Sequence, residues 1–420
     1  MKILLISYFF PPYNVIGAVR ISKLAEHWQG RGYDVQVISA KDQILPSSLT
    51  TSFPQDRIQR TPWINVNLFP EIVSGGRTKV TKQGFSGGNS FLGRIYKACL
   101  NLPDGQIGWY PFAVKAGNKL IRKGWKPDLI YASAFPVTSL LIAKRLASKY
   151  DVPWVAEYRD LWTDNHNYRP LFWRKFIDLR IEKKLLISAS ALITVSEPLA
   201  SLLAKKTEKP IGVIMNGFDP KDYLVCNTNI FPTNKLNIIY TGMVYEKKQD
   251  PSPLFKALNK LSSQYKNKIR IHFFGRYLDY VNELVRKFGI QDIVSVSEPV
   301  PHKQSIAIQK AADVLLFLTW SDPKNKGILT GKIFEYFGAK HPILAIGSEI
   351  GLAGKMIIDR HAGLVTNDVN VVTKQIIKWM DDKLNKNEAF ELPENVNEGL
   401  SREEQFIKLD EFLNKNNLLK

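Results

Sequence analysis

The sequence predicts a protein of two α/β domains in tandem, each built on a parallel sheet. Three observations support this prediction. Short, continuously apolar strands alternate with stretches of helical periodicity, which is typical of parallel sheets covered on both faces. The alternation pauses at Asn216–Pro220 and then restarts. The chain has 420 residues, a length that suits two domains of roughly 200 residues each.

The first half of the chain is expected to contribute five strands and three long helices. The predicted strands are Lys2–Ser7, Asp34–Ser39, Asp128–Ala132, Trp154–Tyr158 and Ala191–Val195. The helices are predicted at Ala18–Gln29, Val137–Lys149 and Trp173–Ile187. A Gly/Ser/Lys-rich stretch, Ser74–Ser90, interrupts the pattern and is expected to form a loop.

The second half repeats the same alternation. Its predicted strands are Leu236–Thr241, Ile269–Phe274, Ile293–Val296, Asp313–Leu318 and Ile343–Ile346, with helices beginning near Pro253, Asp279, His302, Gly331 and Leu352. A final helix is predicted at Arg402–Asn414. We therefore expect a first domain over residues 1–218 and a second over 219–399. The segment from about 400 to 420 can pack back on the first domain.

Charge and cysteine content narrow the class of protein. Residues 1–220 carry 30 Lys and Arg against 16 Asp and Glu, which is +14 of the total net charge of +19. Such an excess suggests an anionic partner, for which phospholipid, a pyrophosphate group and nucleic acid are candidates, although simple solubility is the alternative. Cys99 and Cys226 lie far apart and form neither a disulfide framework nor a metal cluster. We expect two unpaired thiols in a reducing cytoplasm.

Ligands of open α/β sheets bind at the carboxyl ends of the strands, so the loops that follow the strands are where function is sought. Four segments carry a resemblance there: Arg159–Trp162, Asn216-Gly217, Tyr240-Thr241-Gly242 and Gly327–Glu335. In their order and spacing the chain resembles the GT-B glycosyltransferases of family 4, in particular bacterial enzymes that build exopolysaccharides, O-antigens or capsules. The resemblance implies two Rossmann-like, doubly wound domains, acceptor-binding and then donor-binding, facing an inter-domain cleft.

The helix that opens at Gly331 is the predicted site for a nucleoside diphosphate. Free backbone N–H groups and the positive end of the helix dipole suit a diphosphate, and Gly331 allows close approach of the backbone. Lys332 lies in the first turn. Glu335 lies about one turn further on and, by the resemblance, accepts both ribose hydroxyls. The alternative is that Glu335 only complements the helix dipole.

The loop after Gly242 is predicted to face the donor pyrophosphate. The resemblance assigns an arginine and a lysine to this loop; Lys248 matches the lysine, while the arginine position holds Met243 or Gln249. Positive charge there favours departure of the nucleoside diphosphate. Lys247, Arg276 and Lys332 are candidates to compensate. Arg276, after Phe274-Gly275, can face base or phosphate, and a solvated lysine is the alternative for Lys248.

One residue departs from the family pattern. The family carries two glutamates eight positions apart, and the position eight residues before Glu335 is Gly327. The carboxylate that would contact the donor sugar is therefore absent. We expect backbone N–H groups of Gly327, Ile328 and Leu329 to hold the sugar instead.

In the first domain the resemblance points to the loops after two strands. Gly17 corresponds to a small residue beneath the donor phosphate and the acceptor. Arg159 and Asp160 end a strand near the reacting sugar, where Asp160 can accept the proton of the acceptor hydroxyl or bind a sugar hydroxyl. Alternatively Asp160 pairs with Arg159 or caps the following segment. Ser196, before Glu197, is either a substrate contact or an N-cap.

The predicted reaction is transfer of a hexosyl group from a nucleoside-diphosphate sugar, with UDP-glucose the best guess, to a sugar hydroxyl of a polysaccharide or polyprenyl-linked precursor. The resemblance implies retention of anomeric configuration. No DxD triad or metal spacing of histidines is found, so no metal or other cofactor is expected. The alternatives are a nucleotide-sugar epimerase and a non-catalytic nucleotide-binding partner in an assembly complex. No motif for nucleic acid is present.

A cytoplasmic protein in peripheral contact with the inner face of the cell membrane is expected. No apolar run approaches the roughly 18 residues needed to span a bilayer. Aromatic residues in Phe91–Ala98 and Trp109–Phe112 lie near a basic stretch and suit a headgroup boundary. The alternative is that these aromatics belong to a core. The basic residues are Lys115, Lys119, Arg122, Lys123 and Lys126.

Overall fold

The computed structural model describes residues 1–68, 95, 98–165, 168–224, 230–246, 248–320, 329–386, 390 and 392–419. The chain divides into two compact units. The first comprises Met1–Met215 together with Phe406–Lys420, and the second comprises Asn216–Gln405. The predicted loop Ser74–Ser90 and most of Phe91–Ala98 lie outside the described residues.

The first unit contains a seven-stranded sheet in the order β3-β2-β1-β4-β5-β6-β7, with every neighbouring pair parallel. Because the order reverses direction between β1 and β4, the loops that follow these two strands diverge and leave a crevice. The strands are β1 Lys2–Ile6, β2 Asp34–Ala40, β3 Ile58–Thr61, β4 Leu129–Ala134, β5 Trp154–Tyr158, β6 Ala191–Thr194 and β7 Ile211–Val213.

Helices cover both faces of this sheet. In α1 the apolar residues Ala18, Ile21, Leu24 and Trp28 recur at helical spacing and are fully buried, or nearly so, against one face. Helices α2, α3 and α4 pack in that sequence over the other face. The helices are α1 Ile16–Gly30, α2 Tyr110–Arg122, α3 Thr138–Tyr150, α4 Phe172–Ser188 and α5 Glu197–Ala204, with short 3-10 turns at Gln55–Arg57, Val66–Leu68 and Ile107–Trp109.

The second unit repeats the topology with six parallel strands in the order β10-β9-β8-β11-β12-β13. Its reversal of order lies between β8 and β11. The strands are β8 Leu236–Thr241, β9 Ile269–Phe274, β10 Val294–Ser297, β11 Val314–Leu318, β12 Ile343–Ile346 and β13 Gly363–Val365.

The helices of the second unit follow its strands. Helix α8 ends where Gly289 takes a left-handed conformation, with φ of 64°, a common helix stop. The helices are α6 Ser252–Lys260, α7 Ser263–Lys266, α8 Asp279–Phe288, α9 His302–Lys310, α10 Gly331–Ala339, α11 Leu352–Asp359 and α12 Val369–Asp381, with a 3-10 turn at Pro220–Tyr223 and a π-helical turn at Asp382–Lys386. A last helix, α13, spans Arg402–Lys415.

Two extended segments pair where the chain enters and leaves the second unit. Phe218 forms a parallel bridge with Ser401, and the N–H of Arg402 donates to the Phe218 carbonyl at 2.7 Å. A Cβ atom on residue 217 would lie 2.5 Å from the Arg402 nitrogen. Glycine in Asn216-Gly217 is therefore required by the close passage of residues 401–402.

The end of the chain is anchored in the first unit by one buried carboxylate. Asp410 accepts from the Trp28 indole N–H at 2.7 Å and lies 2.9 Å from His27 Nε2 and 3.2 Å from Arg31 Nε. Around this contact Phe406, Leu409 and Leu413 join the core that lies beneath α1. The polar contact therefore fixes the register of α13 in an otherwise apolar layer.

Both predicted parallel-sheet units are confirmed. Trp154–Tyr158, Leu236–Thr241, Ile269–Phe274 and Ile343–Ile346 have the predicted bounds. The edge strands β3, β7 and β13 and helix α12 were missed.

The expected membrane contact is wrong for Trp109. Trp109 is fully buried and donates to the Thr61 hydroxyl, and Tyr110 packs against the same core. The basic residues that follow are exposed, as expected: Lys115, Lys119, Arg122, Lys123 and Lys126.

Asp410→Ala should lower the stability of the first unit by about 1–3 kcal/mol, because the Trp28 N–H loses its partner in the core. Glu411→Ala, on the exposed side of the same helix, is the matched control. Urea denaturation and hydrogen exchange of α13 measure the effect. Equal exchange in the two variants would contradict the anchoring role.

Candidate functional site

The strand order of the second unit reverses between β8 and β11, and Gly242 follows β8 at this point. Gly242 has φ of 116°, a conformation that favours glycine. Its N–H donates to the Phe274 carbonyl at 2.7 Å, and a Cβ atom on Gly275 would overlap the Gly242 carbonyl. Gly275 thus allows two loop backbones to touch, a requirement of the fold itself.

Helix α10 presents its N-terminus at the same end of the sheet. Thr330 precedes it in extended conformation and its side chain caps no backbone N–H. Among the described residues, a Cβ atom on Gly331 would meet nothing within 4 Å. These residues therefore leave a space at Gly331, beside backbone donors and the positive end of the helix dipole, a combination suited to a diphosphate. Leu329 is buried, while Gly327 and Ile328 lie outside the described residues.

Lys332 extends from the first turn of α10 beneath this space. Its Nζ lies 3.6 Å from the centroid of the Tyr240 ring, and a Cβ atom on residue 242 would be 3.0 Å from it. Burial lowers the pKa of Lys332 to about 7, although the nearby Glu335 acts in the opposite direction. The ammonium rests on an aromatic face in a place where an incoming anion would restore its charge.

Glu335 is held by two neighbours on α9. Gln309 Nε2 donates to its carboxylate at 2.9 Å and also to the Thr241 hydroxyl at 3.0 Å, while His302 Nε2 lies 3.4 Å away. Burial alone would raise the pKa of Glu335, but the hydrogen bonds from His302 and Gln309 and the charges of His302 and Lys332 hold it below its usual value. The hydrogen bond to Glu335 raises the pKa of His302. Glu335 is therefore an oriented, ionised acceptor.

The loop that carries Lys248 is anchored at the end of β11. Gln249 is buried and its amide donates to the Leu318 carbonyl at 2.8 Å. The interpretation of Gln249 as the arginine equivalent is therefore wrong, because its side chain points inward to fix the loop. Lys248 is exposed, with Nζ 5.5 Å from the centroid of Trp320, and Tyr245 stacks on that ring at 5.1 Å. Lys247 lies outside the described residues, and Met243 and Arg276 are exposed.

In the first unit, Gly17 and Arg159 come into direct contact. A Cβ atom on residue 17 would overlap the Arg159 guanidinium, so a larger residue there would displace the Arg159 side chain. Arg159 donates to Ser133 Oγ at 3.1 Å and to the carbonyls of Ala134 and Phe135 at 2.9 and 3.2 Å. Burial lowers the pKa of Arg159, although the negative charge of Glu157 acts in the opposite direction.

Asp160 is exposed and acts on Arg159 through its negative charge, although no ion pair joins the two residues in the described part of the chain. Ser196 takes the N-cap position of α5, but its side chain makes no capping hydrogen bond.

A buried ion pair beneath Arg159 was not expected from the sequence. Arg20 Nε lies 2.8 Å from Glu157 Oε1, and Tyr131 and Ser133 donate their hydroxyls to the same carboxylate. Burial would raise the pKa of Glu157, but the charges of Arg20 and Arg159 hold it below its usual value. A glutamate in the otherwise apolar strand Trp154–Tyr158 was the available signal, since a buried carboxylate needs a partner.

Comparison with known proteins bears on the whole chain. The sequence model of Glycosyltransferase Family 4 matches residues 17–222. None of the curated proteins matches. Sucrose-phosphate synthase from Thermosynechococcus elongatus is similar over 99% of this chain and 98% of its own, at TM-score 0.62 and 16% identity.

Two further solved structures are similar along their full length. Anabaena HepE in complex with UDP matches over 99% of this chain and 100% of its own, at TM-score 0.63 and 16% identity. The lipopolysaccharide outer core galactosyltransferase WaaB matches over 99% of both chains, at TM-score 0.57 and 12% identity. At these identities the likeness establishes the fold.

The depressed pKa of Lys332 generates a prediction about pH. If the ammonium contacts a bound diphosphate, affinity for UDP should be highest below pH 7 and fall as the pH rises through about 7, because the free lysine loses its proton there. Calorimetry above pH 7, in buffers of different ionisation enthalpy, should show proton uptake on binding. Lys332→Arg keeps its charge and should remove this dependence, and Lys332→Met should remove it with loss of affinity. An unchanged pH profile in Lys332→Met would contradict the assignment.

Proposed function

We propose that this chain transfers a hexosyl group from a UDP-sugar to a sugar hydroxyl. The support is that residues 17–222 match the sequence model of Glycosyltransferase Family 4 and that the chain has the fold of GT-B glycosyltransferases. UDP-glucose is the proposed donor. The proposed acceptor is a polysaccharide or a lipid-linked precursor, and the anomeric configuration is retained. In this scheme the first unit binds the acceptor and the second binds the donor.

One observation carries this proposal: the end of β8, helix α10 and Glu335 form a single cluster where the strand order of the second sheet reverses. Lys332 lies against Gly242, and Gln309 connects Thr241 with Glu335. The cluster offers a cation and helix dipole for phosphate and a fixed carboxylate for a diol. These are the two chemical groups that adjoin each other in a ribonucleoside diphosphate.

The choice of UDP and of glucose rests on weaker support. Anabaena HepE, which shares the fold, has been crystallised with UDP and with UDP-glucose. At 15–16% identity the likeness does not carry the sugar over, and the position of the first family glutamate is Gly327. We propose that backbone donors of Gly327, Ile328 and Leu329 replace it.

The proposed chemistry depends on stabilising the leaving group. As the bond between the anomeric carbon and the diphosphate oxygen breaks, negative charge grows on that oxygen. In the proposed scheme Lys248, Lys332 and the N-terminus of α10 stabilise this charge. The acceptor oxygen bonds to the same face of the carbon and its proton passes to the departing phosphate. Arg159 and Asp160 orient the acceptor in this scheme, and Arg276 contacts base or phosphate.

A membrane-associated acceptor is part of the proposal. None of the helices in the described ranges is long and apolar enough to cross a bilayer. The exposed lysines and arginine of α2 provide positive charge for an anionic surface. We therefore propose peripheral contact with the inner face of the cell membrane, where polyprenyl-linked sugars are accessible.

A panel of nucleotide sugars tests the function. The expected result is release of UDP from one UDP-hexose, slowly by hydrolysis without acceptor and faster by transfer of the hexosyl group to an oligosaccharide acceptor. Proton NMR of the early product then reports its anomeric configuration. Sugar isomerisation without release of UDP would instead identify an epimerase. Binding of UDP-sugars without any turnover would support a non-catalytic partner.

Glu335→Gln should weaken UDP and UDP-sugar binding together, by about tenfold or more. The reason is that the ribose hydroxyls lose hydrogen bonds to an ionised carboxylate, and a hydrogen bond to a charged group contributes about 1.5–3 kcal/mol. Calorimetry with UDP measures the effect, and Glu283→Gln on the exposed side of α8 is the control. Unchanged UDP affinity in a folded Glu335→Gln variant would sink the ribose assignment.

A further inference from the structure

Helix α4, Phe172–Ser188, exposes apolar side chains to solvent along one side. Phe172 is 90% exposed, Phe176 56%, Leu179 40% and Ile187 54%. Spacings of four, three and eight residues place them on a single helical stripe. Large apolar groups gathered in this way mark an interaction site, whereas scattered ones do not.

The inward side of α4 buries three charged side chains in addition to the apolar Leu185 and Leu186, whereas an ordinary surface helix buries apolar side chains alone. Arg174 and Asp178 form a buried ion pair, with Nε to Oδ1 at 2.7 Å, and the Arg174 guanidinium also donates to the carbonyls of Asn101 and Pro103. Further along, the Glu182 carboxylate lies 2.7 Å from Lys206 Nζ and accepts from the Thr163 hydroxyl.

These buried contacts fix the rotation of the helix. Turning α4 to bury the apolar stripe would expose and unpair three ionised side chains, and breaking a buried pair costs about 3–5 kcal/mol. The outward position of the stripe is therefore built into the first unit.

The exposed charges on α4 itself are all positive. The solvent-facing ionisable residues of α4 are Lys175, Arg180, Lys183 and Lys184, whereas its two acidic residues, Asp178 and Glu182, are buried. The Arg180 guanidinium lies 3.4 Å above the Phe176 ring. Aromatic residues among basic ones suit the boundary between headgroups and acyl chains.

Basic residues on the adjacent helices extend this surface. Burial and the charge of Lys184 lower the pKa of Lys144 on α3, so the cationic surfaces of the two helices adjoin. Next to α3 lies α2, with exposed Lys115, Lys119 and Arg122. One layer of helices thus presents many cations around a single apolar stripe.

We propose that the outer face of α4 docks the protein on an anionic lipid bilayer, with Phe172, Phe176 and Leu179 entering the headgroup boundary and the flanking basic residues contacting lipid phosphates. A bilayer satisfies both parts of the surface, since it is apolar inside and anionic at its boundary. The proposal gives the membrane contact a location and an apolar component. It does not depend on the identity of the donor or on transfer activity.

Co-sedimentation with vesicles of equal parts phosphatidylcholine and phosphatidylglycerol tests the proposal. The variant carrying Phe172→Ser, Phe176→Ser and Leu179→Ser should bind at least about tenfold more weakly than wild type at low and high salt, because apolar insertion is not screened. A control carrying Ile44→Ser, Ile358→Ser and Val371→Ser removes exposed apolar groups elsewhere and should bind like wild type. Circular dichroism and the thermal transition establish that each variant is folded.

Charge reversal separates the two components. Lys115→Glu, Lys119→Glu and Arg122→Glu on α2 should weaken binding at low salt and have little effect at high salt, where screening already removes their contribution. Vesicles of phosphatidylcholine alone should bind wild type more weakly than anionic vesicles, and the α4 serine variant more weakly still. UDP-sugar hydrolysis in the absence of vesicles should be the same in all variants.

Three results would overturn the proposal. One is equal vesicle binding by wild type and the α4 serine variant, and another is no binding by wild type at all. The third is a change from dimer to monomer in the serine variant without a change in vesicle binding, which would assign the stripe to a second copy of the chain. Failure to hydrolyse any nucleotide sugar would count against the proposed reaction and would leave the docking result intact.

Discussion

The carboxylate of Glu157 is the interaction on which the first unit's site depends. It lies in the middle of the sheet, on β5. It pairs with Arg20 of α1 and accepts hydrogen bonds from the hydroxyls of Tyr131 and Ser133 on β4. Arg20 in turn donates to the carbonyls of Ile214 and Met215 at the end of the unit. One buried charge therefore fixes the first helix, the two central strands and the exit of the chain. Arg159 bonds to the same Ser133 and contacts Gly17, so its position follows from this network.

The second unit orients its site by a different device. Among the residues described, no buried ion pair lies where its strand order reverses. Instead a neutral amide, that of Gln309, donates hydrogen bonds to both Thr241 and Glu335. The two cations there, Lys248 and Lys332, rest near aromatic rings. An aromatic face stabilises a cation without neutralising it. Burial lowers the pKa of Lys332 to about 7, so an incoming anion would restore its charge, which suits a site that must bind and then release a diphosphate.

The sequence predicted the central elements well because they are long, apolar and periodic. The missed strands β3, β7 and β13 have three or four residues each at or near sheet edges, where burial on only one side weakens the apolar signal. The error at Trp109 has another cause. Aromatic residues beside lysines look alike whether they face a core or a membrane, and only the tertiary position of Thr61, which accepts the Trp109 N–H, decides between the two. Gln249 is a similar case, since its amide is committed to the Leu318 carbonyl.

Helix α4 was predicted as a helix but not as a surface of interest, because its apolar and charged residues are mixed in sequence. The pattern becomes interpretable only when the structure shows which side faces in. An ordinary helix buries its apolar side, since that stabilises folding without the cost of desolvating charges. Here the first unit buries Arg174, Asp178 and Glu182 and leaves two phenylalanines in water. Folding of the unit does not account for that distribution. An anionic lipid bilayer accounts for both the exposed rings and the absence of exposed acidic groups on this helix. We therefore assign the membrane contact to α4 rather than to the aromatic residues beside α2.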